Sequence, residues 1–102
     1  MNSQPFDADP VKAAENLRRH RVSFDVGYAV LMQDESRLWQ FLDERAEYGE
    51  DRWIVVGPLP GHAHTLIHIT WTERGDRLRI ISVRRATPAE KTSYANRHHR
   101  PR

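Results

Sequence analysis

Between Asp9 and Met32 the apolar residues recur three and four apart, the period of a helix face. Asp9-Pro10 predicts where the first helix begins. An Asp side chain can accept free backbone N–H groups, and Pro at the first helical position surrenders an N–H that had no partner. Ala13, Ala14 and Leu17 then share a face, while Lys12, Glu15, Arg18 and Arg19 turn mostly outward. His20 closes this helix, where a cation suits the dipole. Ser23 caps a second, more apolar helix carrying Phe24, Gly27, Tyr28, Leu31 and Met32. Gly27 weakens that helix but permits close packing.

From residue 37 the period moves toward two. Leu38–Leu42 is a short strand candidate, followed by an acidic loop ending at Gly49-Glu50-Asp51. Arg52–Val56 is β-branched and aromatic, and Gly57-Pro58-Leu59-Pro60-Gly61 is expected to stop it. Ala63–Thr72 forms the longest strand, with Thr65, Ile67, Ile69 and Trp71 on one face and His64, Leu66, His68, Thr70 and Thr72 on the other. Arg74-Gly75-Asp76 turns the chain into a strand over Arg77–Arg84. Strict alternation there sets Leu78, Ile80, Ser82 and Arg84 on one face, and Arg77, Arg79, Ile81, Val83 and Arg85 on the other. Thr87-Pro88-Ala89-Glu90 combines an N-cap, a first-turn proline and a capping-box glutamate, so a third helix should run from Pro88 to about Asn96. The order α-α-β-β-β-β-α predicts an α+β fold: two N-terminal helices, a four-stranded mainly antiparallel sheet and a C-terminal helix.

A length of 102 residues supports one core. A single domain over residues 1–97 is expected, with 98–102 a frayed basic tail. No apolar run approaches the ~20 residues that span a bilayer. Met1–Pro5 lacks the charged and apolar regions of a signal peptide. No membrane association and a cytoplasmic location are therefore expected. The absence of cysteine excludes a disulfide scaffold, thiolate zinc sites, iron–sulfur clusters and cysteine nucleophiles.

A formal net charge of +2 conceals a division along the chain. Residues 34–51 carry a net −5, from seven acids against Arg37 and Arg45, whereas residues 71–102 carry +6. A basic segment of that density attracts polyanions, although a solvated basic face has the same composition. The acidic stretch is expected to lie away from any polyanion site.

Three sets of side chains are candidates for chemistry. His64 and His68 share a strand face but stand about 13 Å apart, too far to ligate one metal ion without a bend. His62 and His64 could reach a common ion, yet no acidic residue lies beside them; surface or interface histidines are the better reading. Arg77, Arg79, Arg84 and Arg85, with Arg74 in the turn before them, offer planar forks that match phosphate oxygens. Charges on an edge strand also guard against aggregation, which explains one or two arginines better than four. Lys12 and His20 lie near one helical stripe about 12 Å apart. His20 reads either as a dipole-complementing cap or as a proton carrier. No phosphate-cradling glycine loop, zinc-protease helix or serine elbow is present. No aspartate pair has metal spacing, so neither metal nor cofactor is expected. A phosphodiesterase built from these residues would take a metal-free route open to RNA, whose 2′-hydroxyl can attack the adjacent phosphate.

Three blocks in order carry a family resemblance. Phe6, Asp9-Pro10, Lys12, Asn16, His20 and Val22-Ser23-Phe24 form the first; Glu50-x-Arg52-Trp53-x-x-x-Gly57 forms the second. The third runs from Thr72 through Pro88 and continues to Glu90 and Tyr94. Together they resemble the BrnT toxins, ribonuclease partners of BrnA antitoxins in bacterial type II toxin–antitoxin systems. The resemblance implies a RelE-like toxin fold and a metal-independent endoribonuclease that cuts RNA and inhibits translation. It also implies a BrnA-like antitoxin with a ribbon-helix-helix DNA-binding domain, in a heterotetramer with the toxin. On this basis Arg79, with Arg84 or Arg85, is expected to contact the phosphate and its transition state. Lys12 is expected to add a cation, His20 to carry the proton, and Arg52, Arg74 and Arg77 to bind RNA. Strand parity puts Arg79 with Arg85 and turns Arg84 away. The alternative is a RelE-like module that binds protein or nucleic acid without cutting it.

Overall fold

A computed structural model describes residues 5–45 and 47–97. The expected tail at 98–102 lies outside the described residues. The observed order is α1 (Pro10–His20), α2 (Phe24–Leu31), a single 3-10 turn (Glu35–Arg37), β1 (Trp39–Leu42), β2 (Arg52–Leu59), β3 (His62–Arg74), β4 (Arg77–Arg85) and α3 (Pro88–Ala95). The four strands form one antiparallel meander in sequence order. The α+β architecture read from the residue pattern is thus the observed one. No described helix is long and apolar enough to cross a membrane.

Local chemistry accounts for the helix ends. Asp9 accepts from the Val11 amide, with Pro10 in the first turn. Arg21 ends α1 in the left-handed region at φ 60°, returning its N–H to the Leu17 carbonyl. Ser23 caps α2 through the Val26 amide, and Thr87 and Glu90 cap α3 reciprocally.

The main core lies between one sheet face and the two N-terminal helices. Val55, Ile67, Ile69, Ile80 and Val83 meet Phe6, Val22, Phe24 and Val30 there. A Cβ on Gly27 would come within 2.5 Å of Val83 Cγ2, so α2 sits on β4 at a distance only glycine allows. A smaller cluster of Val56, Leu66 and Ala86 lies under α3, flanked by Trp39 and Tyr94. The Tyr94 hydroxyl donates to the Arg37 carbonyl at 2.6 Å and ties α3 to the 3-10 turn.

Two strand expectations are corrected. Strand β2 continues through Gly57-Pro58 to Leu59, with Pro58 opposite Leu66. Gly57 marks close approach of another element rather than a turn, since a Cβ there would stand 2.6 Å from Leu38 Cδ2. The chain reverses only at Pro60-Gly61, where Gly61 has φ +82°. In β4 the pairing slips by one: Trp71 faces Ile80, but Thr70 faces Ser82, leaving Ile81 as a bulge residue. Thr72 therefore faces Arg79, and His68 faces Arg84. Thr72 and His68 are four apart on β3 and share a face, so Arg79 and Arg84 share it too. Arg85, opposite Ile67, lies on the face of the helical core. Strict alternation pairs Arg79 with Arg85; the bulge reverses this.

Helix α1 is held by a polar contact rather than an apolar stripe. Leu17 and Val11 are exposed, and the helix's one buried side chain is Asn16. Its amide donates to the Val83 carbonyl at 2.8 Å and to the Val22 carbonyl at 3.1 Å, and its oxygen accepts from the Val83 amide at 3.1 Å. Further along the same edge of β4, the Asp7 backbone bonds to Leu78 and Ile80. Ile80 and Val83 are three residues apart yet use the same edge, which the bulge makes possible. Asn16→Ala leaves three buried backbone groups unpaired. It is expected to cost about 2–4 kcal/mol in urea unfolding; a loss below about 0.5 kcal/mol would contradict this account of the edge.

Candidate functional site

A cleft of about 370 Å³ opens beside the outer edge of β4. Asp9 and Lys12 enter it from the start of α1, Arg79, Ile80 and Ile81 from β4, Arg74 from the end of β3, and Glu50 and Arg52 from the entry to β2. The sheet register explains the convergence. Arg52, Thr72 and Arg79 lie opposite one another across three strands, while Arg74 and Arg77 face each other at the hairpin end. The buried Thr72 hydroxyl donates to the Asp51 carbonyl and draws the acidic loop onto this row.

Each arginine of the cleft has a neighbour that aims it. Arg52 lies over the Tyr48 ring, 4.1 Å from its centroid, and its Nε donates to Glu50 Oε2 at 3.2 Å. Arg74 Nη2 stands 3.8 Å from Glu50 Oε1, and Arg79 Nε stands 3.7 Å from Asp7 Oδ2. Lys12 is exposed and makes no ion pair among the described residues. Glu50 therefore lies inside the basic site. The expectation that the whole acidic stretch lies away from it is corrected. Thr72 and Arg52 pull the loop inward by hydrogen bond and charge.

The acidic loop is anchored separately at Asp43. Its buried carboxylate accepts from Arg45 Nε and Nη2, both at 2.8 Å, and from the Tyr48 hydroxyl at 3.1 Å. The Arg45 guanidinium, helped by Tyr48, holds Asp43 far below the usual carboxylate range despite its burial.

Arg84 is engaged elsewhere on the same face. Its two terminal nitrogens both reach Glu90 at 2.9 Å, and Glu90 also accepts from the Thr87 amide. His68, buried, lies 3.6 Å from Glu90 through Nε2. Burial and the nearby Arg84 push the His68 pKa down, against the opposing pull of Glu90. The surface reading of the histidines holds for exposed His62 and His64 but not for His68. His68 faces the underside of α3, where Glu90 covers it. This cluster borders a second cleft, of about 380 Å³, walled by Trp39, Phe41, Ile54 and Val56.

The structure thus gathers Lys12, Arg52, Arg74 and Arg79 around one space. His20, Arg77, Arg84 and Arg85 do not line it. His20 sits two turns along α1, half-buried at the helix end. Glu50 is the cleft residue that charge counting misplaced, although its position two before Arg52 was a signal. Among the described residues, no three His, Asp or Glu side chains form a group that could hold a metal ion.

Comparison with known proteins places these features in context. A family model described as the ribonuclease toxin, BrnT, of type II toxin–antitoxin systems matches residues 9–90. No curated protein matches the chain. The matched span takes in the whole cleft and ends on Glu90, the residue that clamps Arg84. Arg84, with the Thr87 amide assisting, holds the Glu90 carboxyl from an ordinary 4.5 down to about 2. A carboxylate depressed by folding stabilises fully above its unfolded pKa and loses that contribution as pH falls through the folded value. The clamp should therefore weaken between pH about 4.5 and about 2. Glu90→Gln is expected to cost about 1–3 kcal/mol at pH 7 and to flatten this part of the acid-unfolding curve. Identical curves for both proteins would show that the clamp carries no stability.

Proposed function

The chain belongs to the BrnT family, the ribonuclease toxins of type II toxin–antitoxin systems, and from that premise we propose that the cleft beside β4 is where it binds and cuts RNA. The observation that carries this reading is the convergence of Lys12, Arg52, Arg74 and Arg79 from four different elements on one space. Guanidinium forks match phosphate oxygens, and fixed cations favour a transition state in which charge builds on the phosphorus. Arg79, near the hairpin end of β4 and partly exposed, is the principal phosphate contact. Lys12, Arg52 and Arg74 supply the surrounding field.

The reaction is metal-independent, with the 2′-hydroxyl attacking the adjacent phosphate to give a cyclic phosphate. The donor set supports this. The cleft's carboxylates are Asp9, which caps α1, and Glu50, which pairs with two arginines. The rate then comes from in-line positioning and charge stabilisation. Arg84 serves as a strut between β4 and α3, and Arg85 and His20 stand outside the reaction. Cleavage of RNA inhibits translation. A toxin of a type II system has an antitoxin partner. The partner proposed here is a BrnA-like protein that covers the basic face in a heterotetramer, and the toxin fold is of the RelE-like kind.

Arg79→Ala in the purified chain is expected to reduce RNA cleavage by about 100-fold or more, with its melting temperature near that of the parent. Cleavage at the parent rate would remove Arg79 from the reaction. A parent protein that binds RNA and leaves it intact would favour the non-catalytic binding module.

A further inference from the structure

The cleft, read as a metal-free ribonuclease site, leaves one role unfilled: the group that takes the proton from the attacking 2′-hydroxyl. Arginine and lysine cations are donors only and cannot accept it. The carboxylates lining the cleft are Asp9 and Glu50. Asp9 Oδ1 accepts from the Val11 amide at 3.0 Å, and drawing it away would uncap α1. Glu50 carries no such duty. Its two oxygens lie between Arg52 Nε, at 3.2 Å, and Arg74 Nη2, at 3.8 Å, with a quarter of the side chain open to solvent (25%). A phosphate drawn to the same two guanidiniums would come to rest beside this carboxylate.

We propose that Glu50 is the general base of the reaction. The inference rests on the reading of the cleft given above. In the step it describes, the Glu50 carboxylate takes the 2′-hydroxyl proton while the 2′-oxygen forms its bond to phosphorus. The bond from phosphorus to the 5′-oxygen breaks, and that oxygen takes a proton from the Lys12 ammonium. The products are a 2′,3′-cyclic phosphate and a 5′-hydroxyl. Glu50 and Lys12 recover their starting states by proton exchange with water. Arg52, Arg74 and Arg79 face the charge on the phosphate oxygens throughout. His20, which lies outside the cleft, takes no part.

A purely structural role for Glu50, holding Arg52 and Arg74 in place, makes different predictions. The test compares the full chain with Glu50→Gln and Arg79→Ala, using an RNA oligonucleotide for cleavage and its 2′-O-methyl counterpart for binding. General-base removal predicts that kcat of Glu50→Gln falls by about 100-fold or more, while its Kd for the methylated RNA stays unchanged or tightens. Tighter binding follows from freeing the two arginines of a carboxylate. Cleavage within threefold of the parent, or loss of binding in step with cleavage, overturns the proposal. If Glu50→Gln loses its cooperative unfolding transition, Glu50→Asp takes its place, with the same expectation of reduced kcat and retained binding. A parent protein that leaves RNA intact, or an Arg79→Ala variant at full rate, overturns the reading of the cleft itself. A parent that cleaves, with Arg79→Ala deficient and Glu50→Gln unimpaired, overturns the role of Glu50 alone.

Discussion

A single side-chain amide, Asn16 on the open edge of β4, fixes where the cationic side chains can meet. Helix α1 buries little else, so its position depends on the paired hydrogen bonds to Val83. An unpaired strand edge exposes backbone groups that either seek water or another chain. Here Asp7 and Asn16 occupy that edge, and they bring the first turn of α1 alongside Arg79. Lys12 is one turn before Asn16 and so opens into the cleft. His20 is one turn after it and is carried away. The bulge at Ile81 completes the arrangement, because it presents both Ile80 and Val83 to the same edge. It also turns Arg79 and Arg84 to the same face.

Opposite charges are folded against one another, some from neighbouring positions and some from far along the chain. Glu50 sits between Arg52 and Arg74, Asp7 beside Arg79, and Glu90 against Arg84. The last pair is short and two-pronged, which suits a structural joint. The pairs in the cleft are longer, at 3.2 to 3.8 Å, and each rests on a single contact. Long, single-contact pairs open to solvent contribute little to stability and can be exchanged for a phosphate at small cost. Distance therefore separates arginines that hold the fold from arginines able to meet a ligand.

How much could be read from the residues follows the range of the interactions. Helix caps at Asp9, Ser23 and Thr87, the Gly75 hairpin and the two faces of β3 are set within a few positions, and all appear as the pattern predicts. Gly57-Pro58 looked like a terminator because its cause, the approach of Leu38, is distant in sequence. The bulge was invisible because alternation carries no mark of one extra residue. Asn16 stood only as a motif position; its partners lie up to 67 residues away. Arg79, Lys12, Arg52 and Arg74 were legible as cations in family blocks, and the structure brings them together. Strict alternation turns Arg84 away from Arg79; the bulge puts both on one face, where Glu90 occupies Arg84. Glu50 was counted as part of an acidic run, where its sign hid its position.

On the proposed function, RNA phosphate binds in the cleft between α1 and β4. The most direct measurement is a nuclear magnetic resonance titration of the isotope-labelled chain with 2′-O-methyl RNA, which binds without being cut. The largest amide shifts are expected on residues 9, 11, 12, 50–52, 74 and 79–81, with little change across α3. Shifts confined to α3 and the His68 end of the sheet, with the cleft silent, would contradict it.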